Sequence, residues 1–131
     1  MKKYLVTIFI LITQIFFAQQ DVVISGNITS NLTLTSDKTY LLRGIVRVES
    51  GATLTIQAGT KIYGENATQG SLIIKPGGKI NASGTAQNPI IFTSEFTKPG
   101  ATRKPTYGDW GGIILLGKAP INVPGGTSTI E

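Results

Sequence analysis

A chain of 131 residues fits a single domain at most, and its formal charge of +5 does not favour a nucleic-acid partner, because no basic run is longer than the pair Arg103-Lys104. The absence of histidine and cysteine excludes histidine-based acid–base catalysis, cysteine nucleophiles, disulfide bonds and most zinc or copper sites. Carboxylate chemistry is the main catalytic chemistry that remains.

The first 18 residues have the three regions of a secretory signal peptide. Lys2 and Lys3 precede a mostly apolar run over residues 4–17, and Ala18 offers a cleavage point. The run is shorter than the about 20 residues of a membrane-spanning helix, and no basic cluster follows it. We therefore predict an exported mature chain, residues 19–131, that is secreted or held at the outer cell surface and is not an integral membrane protein.

Beyond residue 20 the sequence is typical of short strands separated by turns. The residues are mostly those of strands and turns, and no stretch has helical periodicity. Gly, Pro, Asn and Ser, which supply the backbone angles of turns, separate the apolar runs. The apolar runs, in chain order, span residues 40–42, 45–48, 72–74, 90–92 and 113–116. The mature chain is therefore predicted to be all-β.

An internal repeat indicates stacked coils. Residues 53–64 align without a gap on residues 71–82, 18 positions later, and Leu, Ile, Gly, Lys and Ile recur in register. Strands this short cannot bury an apolar side alone, whereas stacked coils line up equivalent side chains as ladders. We predict a parallel β-helix (β-solenoid) with a coil of 18 to about 25 residues. A β-sandwich or jelly roll is the alternative, although hairpin pairs such as Asn-Gly are missing between the runs.

Residues 95–108 form the longest stretch without strand character, and loops that leave a regular scaffold often bind ligands. The candidate ligand contacts are Arg103, Tyr107, Asp109 and Trp110. Trp110 could stack on a sugar ring while Asp109 bonds a hydroxyl group. Alternatively, Trp110 packs as a core anchor and Asp109 bonds turn amides, and this structural interpretation is the more common one.

The acidic residues do not form a motif. They are widely spaced, no two share a short pattern, and calcium would need several of them at two-residue spacing. The residues are Asp21, Asp37, Glu49, Glu65, Glu95, Asp109 and Glu131. The sequence therefore predicts no catalytic site, no metal site and no cofactor in this segment.

Five motifs in order resemble the opening of a family of large secreted right-handed parallel β-helix proteins of Bacteroidota and related Gram-negative bacteria. The motifs cover residues 39–44, 51–60, 84–94, 108–113 and 117–122. The resemblance implies a right-handed β-helix of several hundred residues, of which residues 19–131 are the N-terminal coils. It also implies that the β-helix is incomplete, since the sequence stops at Glu131 within another apparent strand, and that the reading frame continues past Glu131.

Two functions remain open. The first is a structural or adhesive role at the cell surface or outside the cell, with extracellular polysaccharide or cell-surface components as partners. The second is a polysaccharide-binding or polysaccharide-degrading enzyme whose site lies beyond residue 131. The absence of an acidic cluster on successive coils favours the first, and the fold alone is compatible with both.

Overall fold

The computed structural model describes residues 21–120 and 125–126. The predicted signal peptide, residues 1–18, and Glu131 lie outside the described residues. Within them the chain forms nine strands and one 3-10 helix, Glu95–Thr97. The strands are β1 (Val22–Ile28), β2 (Leu32–Leu34), β3 (Thr39–Val48), β4 (Thr53–Ile56), β5 (Lys61–Gly64), β6 (Ser71–Ile74), β7 (Lys79–Ala82), β8 (Ile91–Ser94) and β9 (Gly112–Leu115).

These strands stack as a three-sided parallel β-helix. The first face consists of the N-terminal halves of β1 and β3 with β5 and β8. The second face consists of the C-terminal halves of β1 and β3 with β6 and β9, and the third face of β2, β4 and β7. Every pairing among the described strands is parallel, so the β-sandwich alternative, which needs antiparallel neighbours, is wrong.

The four coils span residues 22–34, 39–56, 61–82 and 91–115. Coils 1 to 3 contain all three faces, and coil 4 contributes the first two within the described residues. Parallel strands joined by crossover connections almost always follow a right-handed path. The right-handed course that the resemblance implies stays a prediction.

Inward-facing side chains form apolar ladders between coils. On the third face Leu54 is paired with Leu32 of the preceding coil and Ile80 of the following coil. Leu54 is 2% exposed and belongs to one continuous core cluster, which the second face completes with residues such as Val46 and Leu72. Burial of these ladders stabilises the stack, because each strand alone would leave its apolar side in water.

The 18-residue repeat in the sequence does not align residues that stack on each other. Leu54 pairs with Ile80, 26 positions later, whereas Leu72, which the repeat aligns with Leu54, lies on the second face. The repeat instead aligns two turns: Gly59 (φ +85°) and Gly77 (φ +88°) occupy the same place in two four-residue turns at different corners. The repeat therefore reports the chemistry shared by the corners. The predicted coil length of 18 to about 25 residues holds between coils 1 and 2, where Val22 pairs with Tyr40 18 positions later. It is too short for the later coils, where Lys61 pairs with Ile91 30 positions later.

The corner between the first and second faces, here called the first corner, lengthens from coil to coil. In coils 1 and 2 a glycine with positive φ bends one continuous strand, Gly26 in β1 and Gly44 in β3. In coil 3 residues 65–70 separate β5 from β6, and in coil 4 residues 95–111 separate β8 from β9. The segment 95–111, called the corner loop below, contains all four candidate ligand contacts.

Candidate functional site

Asp109 anchors the corner loop from within. Its side chain is 3% exposed. Its carboxylate accepts hydrogen bonds from Arg103 Nη2 at 2.6 Å, from the Thr106 backbone N–H at 2.7 Å and from Thr106 Oγ1 at 2.9 Å. Ser94 Oγ, at the end of β8, lies 3.2 Å from Asp109 Oδ2 and ties the carboxylate to the coil. Asp109 therefore has internal partners on both of its oxygens.

The ionised form of Asp109 is strongly favoured. The Arg103 guanidinium, with the backbone and side-chain hydrogen bonds from Thr106, holds the pKa of this carboxyl well below its usual range. Arg103 is itself held on its other side, because its guanidinium stacks 3.7 Å from the centre of the Phe96 ring. The resulting sandwich of Phe96, Arg103 and Asp109 fixes the middle of the loop to the 3-10 helix that starts it.

Tyr107 is presented outward by the same arrangement. It lies between Thr106, which is bonded to Asp109, and Gly108, which adopts a φ of +77°. The Tyr107 side chain is fully exposed, at 106% of its reference area. An aromatic ring with no packing partner is therefore carried by a loop whose neighbouring residues are fixed.

Trp110 points into the coil and packs against the core cluster. Its ring covers Gly64, the last residue of β5, where a Cβ atom would lie 2.4 Å from the Trp110 Cβ and 2.7 Å from two ring carbons. On the first face Gly64 is the equivalent of Leu42 in coil 2, so Trp110 fills volume that the missing side chain leaves. A side chain in this position is not available for stacking on a ligand without leaving its site.

The structure thus separates the four predicted ligand contacts. Asp109 and Trp110 face the coil, Arg103 bridges the coil and the surface with 40% of its side chain exposed, and Tyr107 alone is wholly in solvent. That any of the four contacts a ligand stays a prediction. Among them, Tyr107 has the geometry that ligand stacking requires.

A second polar network at the first corner was not apparent from the sequence. Glu65 directly follows Gly64, and Glu95 directly follows Ser94, the residue that pairs with Gly64. The two residues therefore occupy the same corner position on successive coils. Their backbones are separated by the spacing of neighbouring strands, about 4.8 Å. They lie 30 positions apart in sequence, because the corner of coil 3 and the turn before β8 lengthen the chain between them.

Each of these carboxylates has a partner. Glu65 makes an ion pair with Arg43, at 2.8 Å from Nη2 and 2.9 Å from Nε, and accepts from Thr68 Oγ1 at 2.7 Å. The hydrogen bonds from Arg43 and Thr68 lower the pKa of Glu65. Glu95 accepts from the Asn66 backbone N–H at 2.7 Å, and so it holds the corner of coil 3 against that of coil 4.

On the outer side of the first face, Lys98 connects the corner loop to coil 1. Its ammonium group lies 4.6 Å from the centre of the Tyr63 ring and forms an ion pair with Asp21, which also accepts from Thr39. Burial would raise the pKa of Asp21, but the bonds from Lys98 and Thr39 outweigh burial and lower it. Burial, reinforced by the charge of Asp21, raises the pKa of Tyr63. These contacts of Lys98, Tyr63, Thr39 and Asp21 connect all four coils.

The chemistry open to this corner is limited by these pairings. A general acid at neutral pH needs a raised carboxyl pKa, whereas the pKa values of Asp21, Glu65 and Asp109 are all lowered. Within residues 21–120 and 125–126 no three acidic side chains come together as a metal site would require. The same part of the chain contains no helix with the length and apolar character needed to cross a membrane.

Comparison with known proteins adds one match. A family model described as a pectate-lyase-like beta helix domain matches residues 26–131, which is most of the chain and nearly all of its described part. No curated protein and no solved structure gives a match.

Proposed function

The chain belongs to the pectate-lyase-like beta helix domain family, and on that premise we propose that it is the N-terminal scaffold of an exported β-helix protein with a structural or adhesive role. In this proposal the coils hold the corner loop outward for contact with extracellular polysaccharide or another cell-surface component. The wider context implied by the resemblance, a large secreted or surface protein of Bacteroidota or related Gram-negative bacteria, is part of the same proposal.

The observation that carries the proposal is the exposure of Tyr107 on a fixed loop. Asp109, Arg103 and Phe96 order the residues beside it. Ordering a loop at the moment of binding costs conformational entropy, and a loop that is already ordered avoids that cost. Tyrosine offers a large, rigid face with a polar tip, which suits recognition of partly apolar, hydroxyl-rich surfaces. The arrangement favours a binding contact over a solvated insertion.

The lowered carboxyl pKa values support a scaffold rather than a hydrolase or lyase in this segment. The carboxylates of Asp21, Glu65 and Asp109 form ion pairs with cations of the same chain, and each pair joins coils or holds the corner loop. Such pairs stabilise the ionised, hydrogen-bonded form, which is a poor proton donor. The positions of these ion pairs are consistent with a role in holding the coils and the corner loop together.

An enzyme remains the second candidate, because Glu65 and Glu95 stack on successive coils at the corner from which the loop leaves. Carboxylates at the separation of neighbouring strands can share acid–base work. In this candidate the protein binds or degrades polysaccharide, with its principal site further along the stack than residue 131. The bidentate Arg43 on Glu65 weighs against catalysis by this pair itself.

The export part of the proposal is tested in the producing cells. An antibody raised against the mature chain, applied to intact cells before and after protease treatment and to the culture medium, locates the protein. Signal at the surface or in the medium supports export. Protein that stays inside intact cells contradicts it.

The adhesive part is tested by binding of the full exported protein to plates coated with extracellular polysaccharides. We expect Tyr107→Ala to reduce binding at least tenfold, Tyr107→Phe to retain it, and Ile45→Ala to leave it unchanged. Ile45 is the matched control because it is also an exposed, apolar side chain near the first corner. Depolymerisation of a polysaccharide, lost in Glu65→Gln and retained in Tyr107→Ala, would overturn the scaffold proposal in favour of the enzyme.

A further inference from the structure

We propose that the coil 1 end of the β-helix binds a second copy of the chain, with the free edge of β1 pairing antiparallel with β1 of that copy. The inference rests on the proposed export, because cleavage after Ala18 leaves only Gln19 and Gln20 ahead of Asp21. Two residues span at most about 7 Å, whereas the seven-residue β1 follows a path of about 23 Å around the bend at Gly26. The mature N-terminus is therefore too short to cover this end.

The strands at this end have one free edge each. β1 pairs only with β3, and β2 pairs only with β4, within the described part of the chain. Their outer edges present backbone N–H and C=O groups that no described strand satisfies. A free edge of seven residues is a template for pairing with another chain.

The interior of coil 1 is open at the same end. A cavity of about 450 Å³, lined among others by Ile24, Leu32 and Tyr40, opens there. Val22 and Val23 are 41% and 44% exposed. Covering this end would remove apolar surface from water in addition to pairing the edges.

A second copy fits this end because the strands carry no charge. The sequences of β1, VVISGNI, and β2, LTL, contain neither acidic nor basic residues. In a two-fold symmetric contact each strand faces itself, so any charged residue near the axis would meet its own copy. On the third face, the other strand with a free edge in the described part of the chain is β7, which begins with lysine. The strands β1 and β2 themselves therefore lack the charges with which natural edges prevent self-pairing.

The end of one coil is smaller than a standard protein interface, so the association should be weak. We expect a dissociation constant on the order of micromolar for a contact of this size. The dimer should therefore appear as a concentration-dependent equilibrium and not as a permanent complex.

The experiment begins with mass spectrometry of the exported product, which identifies its first residue, and continues with sedimentation velocity over a wide concentration range. We expect a product that starts near Gln19 and an increasing dimer fraction. Val23→Lys should weaken association by roughly tenfold or more, because lysine on an edge strand opposes its own copy. Ile114→Lys, on a similarly exposed residue of coil 4, is the matched control and should leave association unchanged.

A second measurement does not depend on the folding of the lysine variant. The chain has no cysteine, so Ser25→Cys, at the middle of β1, should form a disulfide-linked dimer under mild oxidation. Thr85→Cys, at an exposed position between β7 and β8, should not. A product that starts near Gln19 and stays monomeric at every concentration overturns the inference while export stands. A dimer equally sensitive to Ile114→Lys, or cross-linked equally by Thr85→Cys, overturns the β1 contact. A product that retains residues 1–18 overturns the proposed export, and the inference with it.

Discussion

Replacing Gly64 with alanine is expected to lower the free energy of unfolding by about 1–3 kcal/mol, the usual range for overpacking a core. The new Cβ would lie 2.4 Å from the Trp110 Cβ and 2.7 Å from Cγ and Cε3. The φ angle of Gly64 is not positive, so the backbone itself accepts alanine. The destabilisation should therefore come entirely from the displacement of Trp110.

The effect of Gly64→Ala on stability should change sign when Trp110 is removed. Trp110→Ala alone should lower the free energy of unfolding by about 3 kcal/mol, since it removes a large, partly buried side chain. In that background, Gly64→Ala should be neutral or stabilise the fold by up to about 1 kcal/mol, because alanine restricts the unfolded chain and has space. Urea unfolding of the four proteins, followed by far-ultraviolet circular dichroism, gives the interaction energy. Equal destabilisation by Gly64→Ala in both backgrounds would refute the packing of Trp110 on Gly64.

Three further predictions concern the core, the loop and pH. Leu54→Ala should lower the free energy of unfolding, measured with urea, by about 2–5 kcal/mol. Thr55→Ala, at the neighbouring outward-facing position, should change it by no more than about 0.5 kcal/mol. Equal effects of the two substitutions would contradict the assignment of Leu54 to the inside of the coil and Thr55 to the outside. Asp109→Asn should speed tryptic cleavage within residues 95–111 severalfold with little change in the melting temperature of the coils, and an unchanged cleavage rate would show that Asp109 does not hold the loop. Stability should be level from pH 7 to about pH 5 and fall below about pH 4. The folded-state pKa values of Asp21 and Glu65 lie below their ordinary values of 3.8 and 4.5. The ionised carboxylates therefore contribute fully to folding stability at a pH above these ordinary values, and this contribution is lost as the pH falls through the folded-state pKa values. Glu65→Gln should reduce this acid sensitivity, and a marked loss of stability between pH 7 and pH 5 would contradict the assignment.

Much of the fold was predictable because strand residues and turn residues alternate along the chain. The apolar runs 45–48 and 72–74 lie within β3 and β6, which pair in the structure. The partners themselves were not predictable from the repeat. The turns that contain Gly59 and Gly77 have a similar sequence at different corners, so residues 53–64 and 71–82 match although β4 and β6 belong to different faces. Local sequence reports local backbone angles, whereas pairing depends on the length of the intervening corners.

The same uncertainty in coil length concealed part of the site. Glu65 and Glu95 stack because the pairing of Gly64 with Ser94 places them together, and no short motif contains both. By contrast, the loop was apparent as a gap between apolar runs. The different roles of Tyr107 and Trp110 could not be predicted, because both are aromatic residues beside glycine and only the empty volume above Gly64 distinguishes them.

The unequal corners have a consequence for how such a chain can change during evolution. Closing a loop costs entropy that grows only with the logarithm of its length, so a threefold extension adds about 1 kcal/mol. The first corner tolerates extension from a single bend at Gly26 to the segment 95–111 while the strands on either side keep their register. New surface chemistry can therefore be inserted at this corner without redesign of the core, and the same corner on successive coils offers a column of independently variable positions.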